Sequence, residues 1–212
     1  MELNKIHNMD CLEGMKQLDN NSVDLIVTDP PYGISFMGKN WDKAVPSIDI
    51  WKESLRVLKH GAFAFIMSAP RLDVQSEMVI RLKEAGFRID FTPIYWAYAS
   101  GFPKAMNMSK KVDDFLGANR EEVPVSGNLH NGSGNNIQFT GTQKSDNPIT
   151  EQAKVLDGSY AGFQPKPAVE VIIVAMKPLS EENYTKQALN NGKSITWLDD
   201  CRIPFANEID KD

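Results

Sequence analysis

The amino-acid sequence predicts an α/β fold built on a mostly parallel β-sheet. Short apolar runs of strand length alternate with segments whose apolar residues recur at helical spacing. Such runs are typical of strands covered on both faces, and a strand–helix–strand order is typical of parallel strands joined by helical crossovers. The length of 212 residues suits one ordinary domain. We therefore expect a single domain over residues 1–212.

The first predicted elements lead to a proline-containing turn. Residues 5–10 are predicted to form a short strand, and residues 11–18 a helix with leucine and methionine side chains on one face. The apolar run VDLIVT at residues 23–28 predicts a buried strand. Two consecutive prolines follow it, and because proline cannot continue a strand ladder, the strand must end there.

The later elements continue the alternation of helix and strand. Trp51, Leu55 and Leu58 share one helix face, which Ser47 can cap and Gly61 can end. The remaining predicted elements are a strand at 62–67, a helix over 74–82 ended by Gly86, a strand within 87–98, a strand at 168–176, and a helix capped by Ser180 that runs through Leu189 and is ended by Gly192.

A polar stretch at residues 125–150 interrupts this alternation, since 15 of these 26 residues are Gly, Asn, Ser or Thr. This composition predicts a polar loop or insertion. The G-x-G at residues 132–134 lies inside it. Because that G-x-G follows no apolar strand, a loop is a better interpretation than a phosphate-binding motif.

The composition excludes several classes of protein. Hydrophobic residues make up 42% and charged residues 24%, which excludes wholesale disorder, and no apolar run is long enough for a transmembrane helix. The start lacks the layout of a signal peptide, so we expect a cytoplasmic protein without a membrane partner. Two cysteines without CxxC spacing predict neither a disulfide framework nor a metal site. The net charge of −5 disfavours strong non-specific nucleic-acid binding, although a local basic strip remains compatible with it.

The sequence Asp29-Pro30-Pro31-Tyr32 carries the most chemical information. It follows an apolar strand, and ligands of open α/β sheets bind at the carboxyl ends of strands. An ionised Asp29 and the carbonyl of Pro30 can accept both N–H groups of an exocyclic amine, which localises the nitrogen lone pair. Tyr32 offers a flat face for stacking a base. The alternative interpretation is an ordinary turn.

Residues 7–43, HNMDCLEGMKQLDNNSVDLIVTDPPYGISFMGKNWDK, closely resemble the start of the amino-group DNA methyltransferases. The likeness is to the permuted, β-class-like branch, in which DPPY precedes the cofactor motif. Three later segments resemble one phage and bacterial subgroup: GFPKAMN at 101–107, AGFQPKPAVEVIIVAMKPL at 161–179 and TWLDDCRIP at 196–204. The resemblance implies a Rossmann-like fold, S-adenosylmethionine as methyl donor, and adenine N6 of DNA as acceptor. It also implies that the target base is flipped out of the duplex.

The resemblance further implies catalytic roles for Asp29, Pro30, Pro31 and Tyr32. It places Asp10 beside the adenine of the cofactor, with the backbone of Cys11 and the side chain of Asp29 at the same site. Physically, a carboxylate at a strand end can accept a hydrogen bond from an adenine amine. The alternative for Asp10 is that it caps the following helix.

The chain departs from the family pattern in one respect. The phenylalanine- and glycine-rich loop of the form DPFxGSGT, which cradles the cofactor's methionine part in the family, is absent. We therefore expect a methyltransferase domain truncated at its carboxyl end, which by itself binds S-adenosylmethionine weakly or not at all. Three explanations fit this departure: a truncation, a split enzyme completed by a second polypeptide that carries this loop, and a decayed remnant. The oligomeric state stays open.

Three further side chains are candidates for contact with DNA. Lys39 and Trp41 follow DPPY in an irregular stretch, and Lys104 begins a basic cluster. A core position for Trp41 and a solvated helix face for the lysine cluster are the alternatives.

The identity of the methyl acceptor also has alternatives. In the cytosine-N4 branch of the family that the sequence resembles, serine usually precedes the prolines, so the resemblance implies that Asp29 favours adenine N6. RNA or a protein glutamine amide suits the same chemistry. An inactive half-domain that binds DNA or a partner is the non-enzymatic alternative.

Overall fold

The computed structural model describes residues 2–34, 38, 40–98, 105–130, 136–163 and 169–204. The chain divides into two compact units. Unit 1 comprises Met1–Tyr98 and Val169–Asp212, and unit 2 comprises Ala99–Ala168. The sequence alone suggested one domain over 1–212, whereas the structure separates the middle of the chain as a second unit.

Six helices and six strands are formed within the described residues. In chain order they are α1 (Cys11–Met15), β1 (Ile26–Thr28), α2 (Ile48–Val57), β2 (Phe63–Ser68), α3 (Leu72–Ala85), β3 (Ile94–Ala97), α4 (Met108–Phe115), β4 (Glu122–His130), β5 (Asn136–Lys144), α5 (Glu151–Val155), β6 (Val169–Met176) and α6 (Tyr184–Asn191). Short 3₁₀ helices add Asn40–Asp42 and Leu198–Cys201.

Unit 1 is an α/β unit around a four-stranded mixed sheet in the order β1-β2-β6-β3. Strands β1 and β2 pair in parallel, whereas β6 pairs antiparallel with both β2 and β3. Strands β1, β2 and β3 therefore share one direction and β6 runs against them, so the sheet is mixed, with one parallel and two antiparallel pairs. Because β6 is reversed, its amino end lies at the same sheet edge as the carboxyl ends of the other three strands.

One face of this sheet holds the core of unit 1. Ala64 and Ile66 of β2 and Ile173 of β6 point to the face against which α2 and α3 pack. The helices contribute the buried side chains Trp51, Leu58, Val74, Met78 and Leu82. On the opposite face Val27 of β1 is 71% exposed. Removing the first face from water stabilises the sheet.

Several element ends agree with the sequence patterns and several do not. Gly86 ends α3 and Gly192 ends α6 in the left-handed region, as predicted. Helix α2 ends at Val57 with Leu58 as its C-cap, before Gly61, and Ser47 makes no side-chain capping bond. Asn183, not Ser180, caps α6, because α6 begins three residues later than expected.

The predicted strand at residues 5–10 is not formed. Ile6 in this segment is fully exposed, and no described strand pairs with it. An apolar–polar pattern produces a strand only where a neighbouring strand can accept its backbone hydrogen bonds. The expected strand within 87–98 is likewise confined to β3, while Ala168 lies outside the described residues.

Unit 2 corrects the prediction for the polar stretch at residues 125–150. In place of a loop, β4 and β5 form an antiparallel hairpin in register from Glu122↔Lys144 to His130↔Asn136. Small polar residues do not prevent strand formation when each strand satisfies the backbone groups of the other. Across the ladder the Thr142 hydroxyl also donates to the Glu122 carboxylate at 2.7 Å.

A buried ion pair joins three parts of unit 2. Asp113 of α4 accepts from Arg120 Nε at 2.7 Å, from the Ile149 amide at 3.0 Å and from the Thr150 hydroxyl at 2.7 Å. Arg120 also donates to Ser109 Oγ at 2.6 Å. Burial opposes the charged form, but these donors hold the pKa of the Asp113 carboxyl well below its usual range. The network therefore fixes α4, the hairpin and the start of α5 to each other.

Across the described ranges, no helix has both the length and the apolar character needed to cross a membrane.

Candidate active site

The DPPY segment begins directly after β1, at the sheet edge defined above. Asp29 is exposed, and Tyr32 is half-buried. The Tyr32 hydroxyl donates to Asp29 Oδ1 at 2.6 Å. Burial, this hydrogen bond and the charge of Asp29 all raise the pKa of the Tyr32 phenol, so Tyr32 remains a neutral donor. The structure therefore gives Tyr32 a role that its flat ring did not indicate: it orients the Asp29 carboxyl.

Asp42 fixes the backbone of the same turn. This residue is 2% exposed, and its Oδ1 accepts from the Tyr32 amide at 2.8 Å and from the Gly33 amide at 3.0 Å. Sequence reasoning missed Asp42. The signal that points to it is a turn with unpaired amide groups, followed by a carboxylate in a short irregular stretch.

Gly33 allows this turn to lie close to the following segment. Its φ is +75°, and a Cβ at this position would lie 3.0 Å from the amide nitrogen of Val45 and 3.1 Å from the carbonyl carbon of Ala44. A side chain is thus disfavoured both by conformation and by space. The turn that carries Asp29 and Tyr32 is held by the Asp42 carboxylate on one side and by backbone contact on the other.

A pocket of about 350 Å³ opens beside the first half of the DPPY segment. Its size lies at the lower end of the range of small-molecule sites. Apolar side chains and prolines predominate in its lining, with one carboxylate. The lining residues are Cys11, Met15, Ile26, Thr28, Asp29, Pro30, Pro31, Pro46, Ile50, Trp51 and Ser54.

The structure brings two of the three predicted cofactor residues to this pocket. Cys11 and Asp29 line it, whereas Asp10 is not among the lining residues. Asp10 instead caps α1, where its Oδ1 accepts from the Leu12 amide at 2.9 Å and from the Glu13 amide at 3.2 Å. The capping alternative for Asp10 is therefore realised.

A second carboxyl, Glu170, lies at the same sheet edge and was also missed by sequence reasoning. It stands near the amino end of β6, opposite Trp96 in the register with β3. Burial raises the pKa of Glu170, and the charge of Asp29 raises it further, while a hydrogen bond with Tyr98 opposes the shift. No local signal marks this glutamate, because its strand is distant from DPPY in the sequence.

The three residues predicted to contact DNA have different outcomes. Trp41 is 62% exposed, so the alternative of a core position is wrong. Lys39 and Lys104 lie outside the described residues, as does the G-x-G at 132–134. Within the part of the chain that is described, no group of His, Cys, Asp and Glu side chains is placed to hold a metal ion.

Comparison with known proteins finds no family model that matches the chain. The type II methyltransferase M.HpaI of Haemophilus parainfluenzae is 30% identical over 115 residues, which is 50% of this chain and 35% of that protein. The DNA adenine methyltransferase YhdJ of Escherichia coli K12 is 33% identical over 108 residues, which is 43% of this chain and 32% of that protein. The chain thus spans about a third of the length of these curated relatives.

Among solved structures, a similar chain is TTHA0409 of Thermus thermophilus, assigned as a DNA modification methylase and complexed with S-adenosyl-L-methionine. The TM-score is 0.42 at 16% identity, and the match covers 92% of this chain and 60% of that chain. The sequence comparisons show that this chain has homologues among the DNA methyltransferases.

Proposed function

We propose that the protein is the catalytic part of a DNA methyltransferase that transfers a methyl group from S-adenosylmethionine to adenine N6. The observation that carries this proposal is the Tyr32–Asp29 hydrogen bond of 2.6 Å, in a turn fixed by Asp42 at the carboxyl end of β1. The homologous DNA methyltransferases support it. Asp29, Pro30, Pro31 and Tyr32 form the proposed catalytic segment.

The proposed role of this segment is to make an amine nucleophilic. The lone pair of an exocyclic amine is delocalised into the ring, and two hydrogen-bond acceptors localise it on nitrogen. Oδ1 of Asp29 accepts a hydrogen bond from the Tyr32 hydroxyl, which leaves Oδ2 to accept one N–H of the amine. The Pro30 carbonyl accepts the second N–H. The amine loses a proton, and because Asp29 is exposed, its carboxyl can pass that proton on to water.

The pocket beside Asp29 fits part of the cofactor. Apolar side chains with one carboxylate at the edge suit a molecule that has an apolar body and a positive sulfonium. When bound, S-adenosylmethionine supplies an electrophilic methyl group. Cys11 and Asp29 line the proposed site, while Asp10 acts on it through the cap of α1. A second polypeptide that carries the family's cofactor loop remains a proposed partner.

DNA is the proposed substrate, with the target base flipped out of the duplex, since a stacked base cannot reach Asp29. The exposed indole of Trp41 is the described side chain that we assign to contact with DNA. Lys39 and Lys104 are proposed to contact phosphates.

The test is methyl transfer from tritiated S-adenosylmethionine to unmethylated genomic DNA, followed by chromatography of the nucleosides. We expect N6-methyldeoxyadenosine, and we expect Asp29→Ala to abolish it without unfolding the protein. Asp19→Ala is the matched control, because Asp19 is an exposed aspartate outside the pocket. Label in N4-methylcytosine would identify cytosine as the acceptor.

Methylation by Asp29→Ala near the wild-type rate would refute the assignment. Titration calorimetry with S-adenosylmethionine, with and without DNA, then shows whether the cofactor site of this chain suffices. Absence of both binding and transfer would contradict the proposal for this chain acting alone.

A further inference from the structure

Two carboxyl–tyrosine pairs lie at one edge of the sheet in unit 1. The first is Asp29 with Tyr32, after β1. The second is Glu170, near the amino end of β6, with Tyr98, which follows β3. The reversed direction of β6 is what places Glu170 at the edge where β1 and β3 end. The mechanism proposed above uses only the first pair.

Glu170 has an oxygen without a partner. Its Oε2 is buried and makes no hydrogen bond. The Asp29 carboxyl and the Tyr98 hydroxyl both shift the pKa of Glu170, and the charge of Glu170 in turn raises the pKa of Tyr32. A buried oxygen without a partner is costly, and an atom from a ligand or a proton removes that cost.

The two carboxyls differ in their hydrogen bonds. Asp29 Oδ1 accepts from the Tyr32 hydroxyl, whereas Glu170 Oε2 has no hydrogen-bond partner among the described residues. Burial and the charge of Asp29 raise the pKa of Glu170, which favours its neutral acid form. A neutral acid with its proton on Oε2 is a hydrogen-bond donor, and no described group accepts from that atom.

We propose that Glu170 contacts the acceptor base beside Asp29 and donates a hydrogen bond from Oε2 to the ring nitrogen next to the amine. The inference rests on the proposed function, because it assigns a second contact in the same base site. It makes Glu170 a determinant of which bases are accepted. Tyr98, whose hydroxyl interacts with the Glu170 carboxyl, is then a positioning residue.

Asp29 and Glu170 together select a class of base. Asp29 accepts from an amine, and Glu170 donates to a neighbouring ring nitrogen. Adenine offers this combination at N6 and N1, and cytosine offers it at N4 and N3. In guanine and thymine the corresponding positions are a carbonyl oxygen and a ring N–H, so both contacts are reversed. A site formed by Asp29 and Glu170 therefore accepts adenine and cytosine and rejects thymine and guanine.

The spacing of the strands suits a base between the two carboxyls. Strand β2 lies between β1 and β6, so their backbones are about 10 Å apart at the usual strand spacing. A base that contacts both carboxyls therefore has to lie across the end of β2. Asp29 and Glu170 are also near enough for the charge of one to affect the proton of the other.

The experiment measures the affinity of the whole chain for single-stranded (dA)₁₂, (dC)₁₂ and (dT)₁₂ by fluorescence anisotropy from pH 5 to pH 9. Single strands expose bases without flipping, and the ratio of two affinities cancels the contribution of the phosphates. The variants are Glu170→Ala, Glu170→Gln, Tyr98→Phe and Asp29→Ala. Glu77→Gln on α3 is the matched control, because its carboxylate pairs with Arg81 at the surface. Thermal melting monitors folding.

We expect the wild type to prefer (dA)₁₂ and (dC)₁₂ over (dT)₁₂ by about tenfold, the effect of one desolvated hydrogen bond. The preference should fall as pH rises through the raised pKa of Glu170, since ionisation removes the donor. Glu170→Gln should keep the preference at every pH, because an amide always donates, whereas Glu170→Ala should lose it. In Tyr98→Phe, loss of the bond that lowers the pKa of Glu170 should extend the preference to higher pH.

Two outcomes overturn the inference and separate it from the proposed function. If Asp29→Ala loses the preference while Glu170→Ala keeps it, Glu170 does not contact the base and the Asp29 site stands. If the wild type shows no preference and Asp29→Ala changes nothing, the base site itself is wrong. A pH dependence that persists in Glu170→Gln would refute the donor role. Tyr98→Phe supplies the test if Glu170→Ala does not fold.

Discussion

Substitution of Gly33 by alanine tests how tightly the DPPY turn is held. The φ of +75° disfavours any L-residue, by about 1–2 kcal/mol. The added Cβ would also lie 3.0–3.2 Å from backbone atoms of Ala44 and Val45, which cannot move aside as a flexible side chain can. Crowding of this kind costs about 1–3 kcal/mol. We therefore expect Gly33→Ala to lower the free energy of unfolding by about 3 kcal/mol.

Gly192→Ala is the matched control. Gly192 has a φ of +69°, but nothing lies within 4 Å of its added Cβ. This variant should lose only the conformational part, about 1–2 kcal/mol. The difference between the two variants measures the contact of the turn with the segment that follows it.

The assay is urea unfolding monitored by tryptophan fluorescence. All four tryptophans belong to unit 1, and Trp51 is buried in its core, so the signal reports on the unit that carries both glycines. Methyl transfer by Gly33→Ala should also fall by about 100-fold, because a displacement of 1 Å in the turn is enough for such a loss. Equal destabilisation by the two substitutions would refute the close approach and, with it, the fixed turn.

Three further predictions concern the same turn and unit 2. Tyr32→Phe should remove one tyrosine that titrates above the usual pH range in absorbance at 295 nm, and should slow methyl transfer about tenfold by freeing the Asp29 carboxyl. Asp42→Ala should cost about 3 kcal/mol in urea unfolding, because two amide donors lose their acceptor, and Asp42→Asn should cost less. Because the pKa of Asp113 is lowered in the folded state, its stabilising effect is present above about pH 4 and is lost as pH falls below it. Hydrogen-exchange protection of the amides that donate to Asp113 should fall in that range, and Asp113→Asn should show less of this acid dependence.

The parts of the site that are contiguous in the chain could be predicted from the sequence. Asp29 and Tyr32 stand in one motif after an apolar run, so their place at a strand end follows from local pattern. Asp42 and Glu170 could not be found in this way. Asp42 reaches the turn only because the chain folds back over ten residues. Glu170 reaches the same edge only because β6 pairs with both β2 and β3.

The sequence by itself determined where most strands and helices of unit 1 lie, because apolar periodicity and glycine at helix ends act within a few residues. It also determined that a carboxylate, two prolines and a tyrosine follow an apolar strand. Tertiary structure decided the antiparallel insertion of β6, the absence of a strand at residues 5–10, and the hairpin formed by the polar stretch. The reason is the same in each case: a strand exists and has a direction only through hydrogen bonds to a partner that is distant in the sequence.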